Sequence, residues 1–195
     1  MFLFDYYGEG RDPFVPYLKV NKENAVTLDG IGILKGDKLK LHLNDKETFS
    51  FKLLSGHHMN GDIEFLFEKE GKKGHVVLAH LYGDTNMHAS NLESIPQVTI
   101  NLTMNAVIKD YPSWLDLKDD SEIRIVSKQL EKKVEQEVDQ LLKKLQDHEV
   151  DPVGIGDFIR GKQRDWNEEE FYKTYPYIKF RVETKLNLLQ SGIGE

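Results

Sequence analysis

Apolar and polar positions alternate along several stretches of the chain, and each alternation predicts a strand with one buried face. Val26, Leu28, Ile31, Ile33 and Leu34 lead to a turn at Gly36-Asp37, after which Leu39, Leu41 and Leu43 alternate with Lys38, Lys40 and His42. That pattern is a hairpin. Asn44 then reads as the N-cap of a short helix to about Ser55, with Glu47 as capping-box partner, Phe51 and Leu54 on its apolar side and Gly56 just past its end. Ile63, Phe65 and Phe67 mark another strand, and a turn over Glu70 to Gly74 returns the chain as His75 to Tyr82. Residues 83–94 read as polar loop. Val98, Ile100, Leu102, Met104, Ala106 and Ile108 alternate without a break, and so do Ile178, Phe180, Val182, Thr184, Leu186 and Leu188 near the end.

One stretch has the helical period. From Ser121 to His148 the apolar residues Ile123, Val126, Leu130, Val134, Val138, Leu141 and Leu145 recur three or four apart. Opposite charges at four-residue spacing, Lys133 with Glu137 and Asp139 with Lys143, mark a solvated outer face. Asp151-Pro152 signals a new short helix through a cap and an N1 proline, and Asn167 before Glu168, Glu169 and Glu170 signals another. Residues 1–20 carry six aromatics among glycines and prolines, with neither period, and read as an extended connector arm ahead of a domain at 21–192. Strands first, helices late and a returning strand make an α+β fold. The expected architecture is a mostly antiparallel sheet with the long helix and the shorter helices packed on one face.

Composition narrows the function. With 39% apolar residues in 195, the chain can build a real core. A net charge of −7, evenly spread, argues against a partner whose phosphates need neutralising, so no nucleic-acid role is expected. Cysteine is absent, which removes thiolate zinc sites, thiol nucleophiles and disulfides. No apolar run approaches the roughly 18 residues of a membrane-spanning helix, and the chain reads as soluble. Its opening, Met1-Phe2-Leu3-Phe4-Asp5-Tyr6-Tyr7, lacks the basic start and cleavage site of a signal peptide.

Candidate chemistry is sparse. Five of seven histidines lie between His57 and His88, so a small metal-dependent hydrolase or ligand-binding domain built there is the alternative function. Their spacing is poor, because His75 and His80 differ in parity on one strand and would face opposite ways. Gly30-Ile31-Gly32 lacks the third glycine of a dinucleotide loop, no phosphate-binding Gly-Lys-Ser/Thr occurs, and no serine sits in a nucleophile elbow. No catalytic, metal-ligating or cofactor-binding set is therefore assigned, and the expected class is non-enzymatic. The segment that packing explains least is Asp151-Pro152-Val153-Gly154-Ile155-Gly156-Asp157, followed by Arg160 and Trp166. Two glycines at a helix start cost about 1 kcal/mol each. They imply a close backbone neighbour, either a tight helix-sheet contact capped by Asp151 or a partner-binding surface.

That segment, with Leu141-Leu142-Lys143-Lys144-Leu145-Gln146 before it and Tyr175-Pro176 and a strand ending at Gly192 after it, resembles the C-terminal domain of the Ger(x)C family. These are the lipoprotein C subunits of spore germinant receptors. The hairpin Val26-Thr27-Leu28-Asp29-Gly30-Ile31-Gly32-Ile33-Leu34-Lys35-Gly36-Asp37-Lys38-Leu39 is similar to the family's, although Leu34 stands where phenylalanine is common, and Gly10-Arg11-Asp12-Pro13 looks like the connector into this domain. The likeness covers roughly residues 8–192. It implies a receptor component on the outer face of the inner spore membrane, anchored by a lipid, that assembles with integral-membrane A and B subunits in nutrient-triggered germination. The family's N-terminal domain and lipobox cysteine have no counterpart in this sequence, which fits a fragment or a form unable to anchor itself. Asp151, Gly154, Gly156, Asp157, Arg160 and Trp166 are the candidate interaction or structural motif.

Overall fold

A computed structural model describes residues 10–56 and 62–190. Two antiparallel sheets form, where the alternations alone suggested one. The first joins β1 (Phe14–Val20), β2 (Val26–Lys35) and β3 (Lys38–Leu43) in that order. The expected hairpin turns at Gly36-Asp37, with Lys35 opposite Lys38. A register shift between Ile33 and Leu34 breaks the period of β3, so Leu41 and Leu43 are buried while Leu39 is 53% exposed.

The described part of the stretch read as a connector arm is different. Phe14–Val20 pairs antiparallel with β2 as an outer strand. Its alternation is hidden by a register shift between Pro16 and Leu18, and an outer strand tolerates Pro16, which has no N–H to give.

Helix α1 (Asp45–Leu54) follows, and its cap forms as expected: Asn44 N donates to Glu47 Oε2 at 2.9 Å and Glu47 N to Asn44 Oδ1 at 3.1 Å. Gly56, at φ +66°, ends it.

The second sheet has the order β4 (Ile63–Lys69), β5 (Lys72–Ser90), β6 (Gln97–Asp110) and β7 (Lys179–Gln190). The turn between β4 and β5 is Glu70-Gly71, both at positive φ, so Lys72 and Lys73 belong to the strand rather than to a longer turn. Strand β5 also takes in residues 83–90, expected as loop. Alternate positions there are half-buried, but they carry Gly83, Thr85, Met87 and Ala89, too weakly apolar to write a pattern. Thr85 Oγ1 donates to Leu53 O at 2.7 Å and holds the segment in place.

The chain divides into two compact units: residues 1–51, 87–99 and 138–181, and residues 52–86, 100–137 and 182–195. Helix α2 (Asp120–Asp147) contributes to both, and of its predicted stripe Val126, Leu130, Val134, Val138, Leu141 and Leu145 are buried. In the second unit Phe67, Val76, Leu78, Ile100 and Met104 are buried. There two α2 acids leave the solvated face: Glu135 Oε1 accepts from Thr184 N at 2.8 Å and Glu131 Oε1 from Leu186 N at 2.9 Å. Strand β7 is an outer strand, and these carboxylates occupy backbone donors that would otherwise be open to another strand.

In the first unit Ile33, Leu43, Val150, Ile155 and Tyr175 are buried. Lys144 Nζ reaches Glu47 Oε1 at 2.6 Å, and Gln146 Nε2 donates to the carbonyls of Tyr175 and Ile178. Short helices α3 (Ile155–Arg160) and α4 (Glu168–Thr174) and a 3-10 turn at Tyr175–Tyr177 lead into β7. Helix α3 begins three residues after Pro152, with Gly154 at its N-cap position, which corrects the expected start at Asp151-Pro152.

Candidate interaction element

Asp151 has no solvent exposure. Its Oδ1 accepts from Gly154 N at 3.0 Å and its Oδ2 from Gly156 N at 2.7 Å, so it caps α3 from outside the helix. Its own backbone pairs with the segment leading into β1. Asp12 N donates to Asp151 O at 2.9 Å, and Asp151 N donates to Asp12 Oδ2 at 2.7 Å. The Asp12 carboxylate also receives the Tyr172 hydroxyl at 2.8 Å and Lys35 Nζ at 3.1 Å, while the Lys35 ammonium lies over the Tyr172 ring. Arg11 Nε donates to Pro152 O at 3.2 Å. Gly10 completes the contact: its N–H donates to Glu168 Oε1 at 3.1 Å and its carbonyl accepts from Asp157 N at 2.9 Å.

The close approach accounts for the glycines. A Cβ on Gly156 would lie 2.7 Å from Gly10 O and 2.8 Å from the Phe171 ring, closer than real Cβ atoms come. Gly154 sits at φ +86°, a left-handed conformation that other residues rarely adopt, and a Cβ there would press on Arg11. The close neighbour that the glycines imply is the segment 10–12 ahead of β1, so the contact capped by Asp151 is made with that segment rather than with the expected sheet.

Burial pushes the Asp151 carboxyl up to about 7, against the opposing effect of the amides of Gly156, Ile155 and Gly154 and with help from the Asp12 charge. Tyr172 is raised by burial and by the charges of Asp12 and Asp151, and Tyr175 chiefly by burial. These groups are enclosed by one another. They form a clasp on residues 10–12 and present no carboxyl to solvent for acid or base work.

The outer side of the element differs. Asp157 Oδ1 accepts from Arg160 Nη2 at 2.7 Å, with both side chains about half exposed. Trp166 is half-buried, packs with Phe171 at 6.1 Å between ring centroids, and has an Nε1 without a hydrogen-bond partner among the described residues. So the clasp takes Asp151, Gly154 and Gly156 inward, the side chains of Asp157 and Arg160 are exposed, and Trp166 is half-buried against Gly10 and Phe171. Sequence reasoning missed Gly10, Asp12, Lys35 and Tyr172, which no local pattern links to the motif. It also missed a solvent-open cleft of about 570 Å³ in the same unit. Ile159, Phe171 and Ile178 contribute apolar lining, Trp166, Leu92 and Pro96 more of it, and the Gln163 side-chain amide tethers the loop through Leu92 O.

The histidine region gathers no comparable site among the described residues. His75 Nδ1 pairs with Glu64 Oε1 at 2.6 Å on the neighbouring strand, both exposed, and His88 is exposed. His57 and His58 lie outside the described residues. Among the described residues no group of three or more His, Cys, Asp or Glu could hold a metal ion, and no helix is long and apolar enough to cross a membrane.

Residues 29–192 match the family described as spore germination B3/GerAC like, C-terminal. The spore germination protein GerQC of Bacillus cereus is 26% identical over 195 residues, covering all of this chain and 54% of the relative. The putative spore germination protein YfkR of Bacillus subtilis is 21% identical over 202 residues, covering 98% of this chain and 52% of the relative. The chain thus spans about half the length of these relatives. The crystal structure of the GerBC protein superposes with a TM-score of 0.73 at 21% identity, covering 92% of this chain and 57% of that one.

Proposed function

Because the chain belongs to the spore germination B3/GerAC-like C-terminal family, that of the Ger(x)C germinant receptor subunits, its setting is spore germination, and we propose that it acts there as a non-enzymatic interaction and scaffold domain. In this reading it assembles with the integral-membrane A and B subunits at the outer face of the inner spore membrane, peripheral to the bilayer through a lipid anchor carried elsewhere. One observation supports this most: the clasp uses Asp151, Gly154 and Gly156 to hold residues 10–12, which leaves the Asp157 and Arg160 side chains exposed beside it, next to the half-buried Trp166. A rigid element with an exposed charge pair and an aromatic edge suits protein recognition.

The test is a charge reversal on that face. Arg160→Glu sets a carboxylate against the Asp157 side chain and changes none of Asp151, Gly154 and Gly156. Placed in the spore-borne protein, it is expected to slow nutrient germination several-fold at unchanged receptor level. In detergent, the same variant should lose capture of the A and B subunits. Normal germination and normal capture would overturn the assignment of the face. Gly154→Trp is the wrong probe, since any side chain at φ +86° disturbs the clasp itself.

A further inference from the structure

Three of the four outer strands have backbone groups taken by side chains of α2. On β7, Thr184 N and Leu186 N donate to Glu135 and Glu131, and on β4 the Gln129 amide bonds both Glu68 N and Glu68 O. On β3, Lys144 Nζ donates to His42 O at 3.4 Å. The fourth, β1, is different over its last residues. Asn21 N donates to Ala25 O at 2.9 Å, which sets the phase of the ladder between β1 and β2. Hydrogen-bonded and non-bonded pairs alternate from there, so Lys19 bonds to Thr27 across the ladder, whereas Leu18 and Val20 turn their N–H and C=O groups away from β2. Among the described residues nothing pairs with those groups.

The side chains fit an open edge. Leu18 lies opposite Leu28 and Val20 opposite Val26, so all four share one face, and each is 61–64% exposed. Lys19 stands on the other face, its side chain 67% exposed and 3.9 Å from Asp29. We propose that the β1 edge from Leu18 to Val20 takes up an extended segment of a partner protein in which two apolar residues flank a carboxylate. The apolar pair extends the Leu18, Val20, Val26 and Leu28 face, the carboxylate lies beside Lys19, and the added backbone pairs with the Leu18 and Val20 groups. A second copy fits worse. The two-fold pairing that satisfies Leu18 and Val20 sets the two Lys19 side chains directly opposite each other, and a shift of register brings in Pro16, which has no N–H. Neither Asp157 nor Arg160 takes part.

The experiment titrates the full chain with two capped peptides, Thr-Val-Glu-Val-Thr and Thr-Val-Lys-Val-Thr, at low salt and follows the backbone amides by NMR. The glutamate peptide is expected to shift the amides of Leu18, Val20, Val26 and Leu28 with at least tenfold higher affinity than the lysine peptide. In Lys19→Glu that preference should reverse. Val20→Pro deletes one outward N–H and leaves the ladder to β2 intact, so it should weaken the glutamate peptide severalfold at unchanged circular dichroism. No shift with either peptide at millimolar concentration, equal affinity for both, or undiminished binding by Val20→Pro would overturn the proposal. Shifts of the same amides on raising the protein concentration alone would assign the edge to a second copy. Shifts with phosphatidylcholine vesicles but not with peptide would assign the apolar face to a lipid surface, and either result also overturns it.

Discussion

Asp151 carries two roles in one side chain: it caps α3 through two amides and lies against a second carboxylate in a site without water contact. A carboxyl whose folded-state value is raised, here to about 7 from 3.8, holds its proton in the folded chain over a range where the unfolded chain has lost it. Stability from this group is therefore complete below about pH 4 and is lost as pH rises through about 7. Asp151→Asn removes the titration. The stability difference between parent and variant, followed by urea unfolding from pH 4 to pH 8, should change in that direction by up to about 4 kcal/mol. A difference that does not vary with pH would mean that the burial of Asp151 is compensated. The sequence marked Asp151, Gly154 and Gly156 because their spacing is local. It left Asp12, Lys35 and Tyr172 unmarked, since their link to Asp151 is made only when residues 139 to 160 positions apart meet.

Among the elements, β7 shows how a helix can finish a sheet. The outer strand offers Thr184 N and Leu186 N, and Glu135 and Glu131 of α2 accept from them. Glu131 is only 7% exposed and pairs with Lys128 at 2.8 Å. Glu131→Ala strands a buried donor and should cost about 1–3 kcal/mol in urea unfolding, whereas Glu131→Gln keeps an acceptor and should cost less. Equal losses would place the effect in packing instead. The strands, α1 with its capping box, and α2 with its buried stripe were legible because period and caps are written within a few residues. Two β features were not. Residues 83–90 of β5 have no apolar contrast to alternate, and the register shift in β1 hides a two-residue period.

For the whole molecule, each compact unit is gathered from three separate stretches of chain, an interleaving that periodicity does not encode because it assigns faces and not neighbours. The same holds for chemistry. A cluster of five histidines in sequence raised a metal site, yet His75 is engaged with Glu64 and points to no shared centre among the described residues. Added zinc at low micromolar concentration is accordingly expected to leave the melting temperature of the chain unchanged, and a clear rise would revive the metal reading. By itself the sequence determined the α+β class, the caps, the long amphipathic helix and the family, all of which rest on residues close together in the chain. Only the tertiary structure decided that two sheets form instead of one, that residues 14–20 are a strand, and that the glycine motif closes on residues 10–12. The physical reason is that each depends on which backbones come within hydrogen-bond distance: for residues 14–20 a nearby hairpin partner whose register shift hides the two-residue period, and for the clasp a partner 139 positions away, a closure that leaves no local trace.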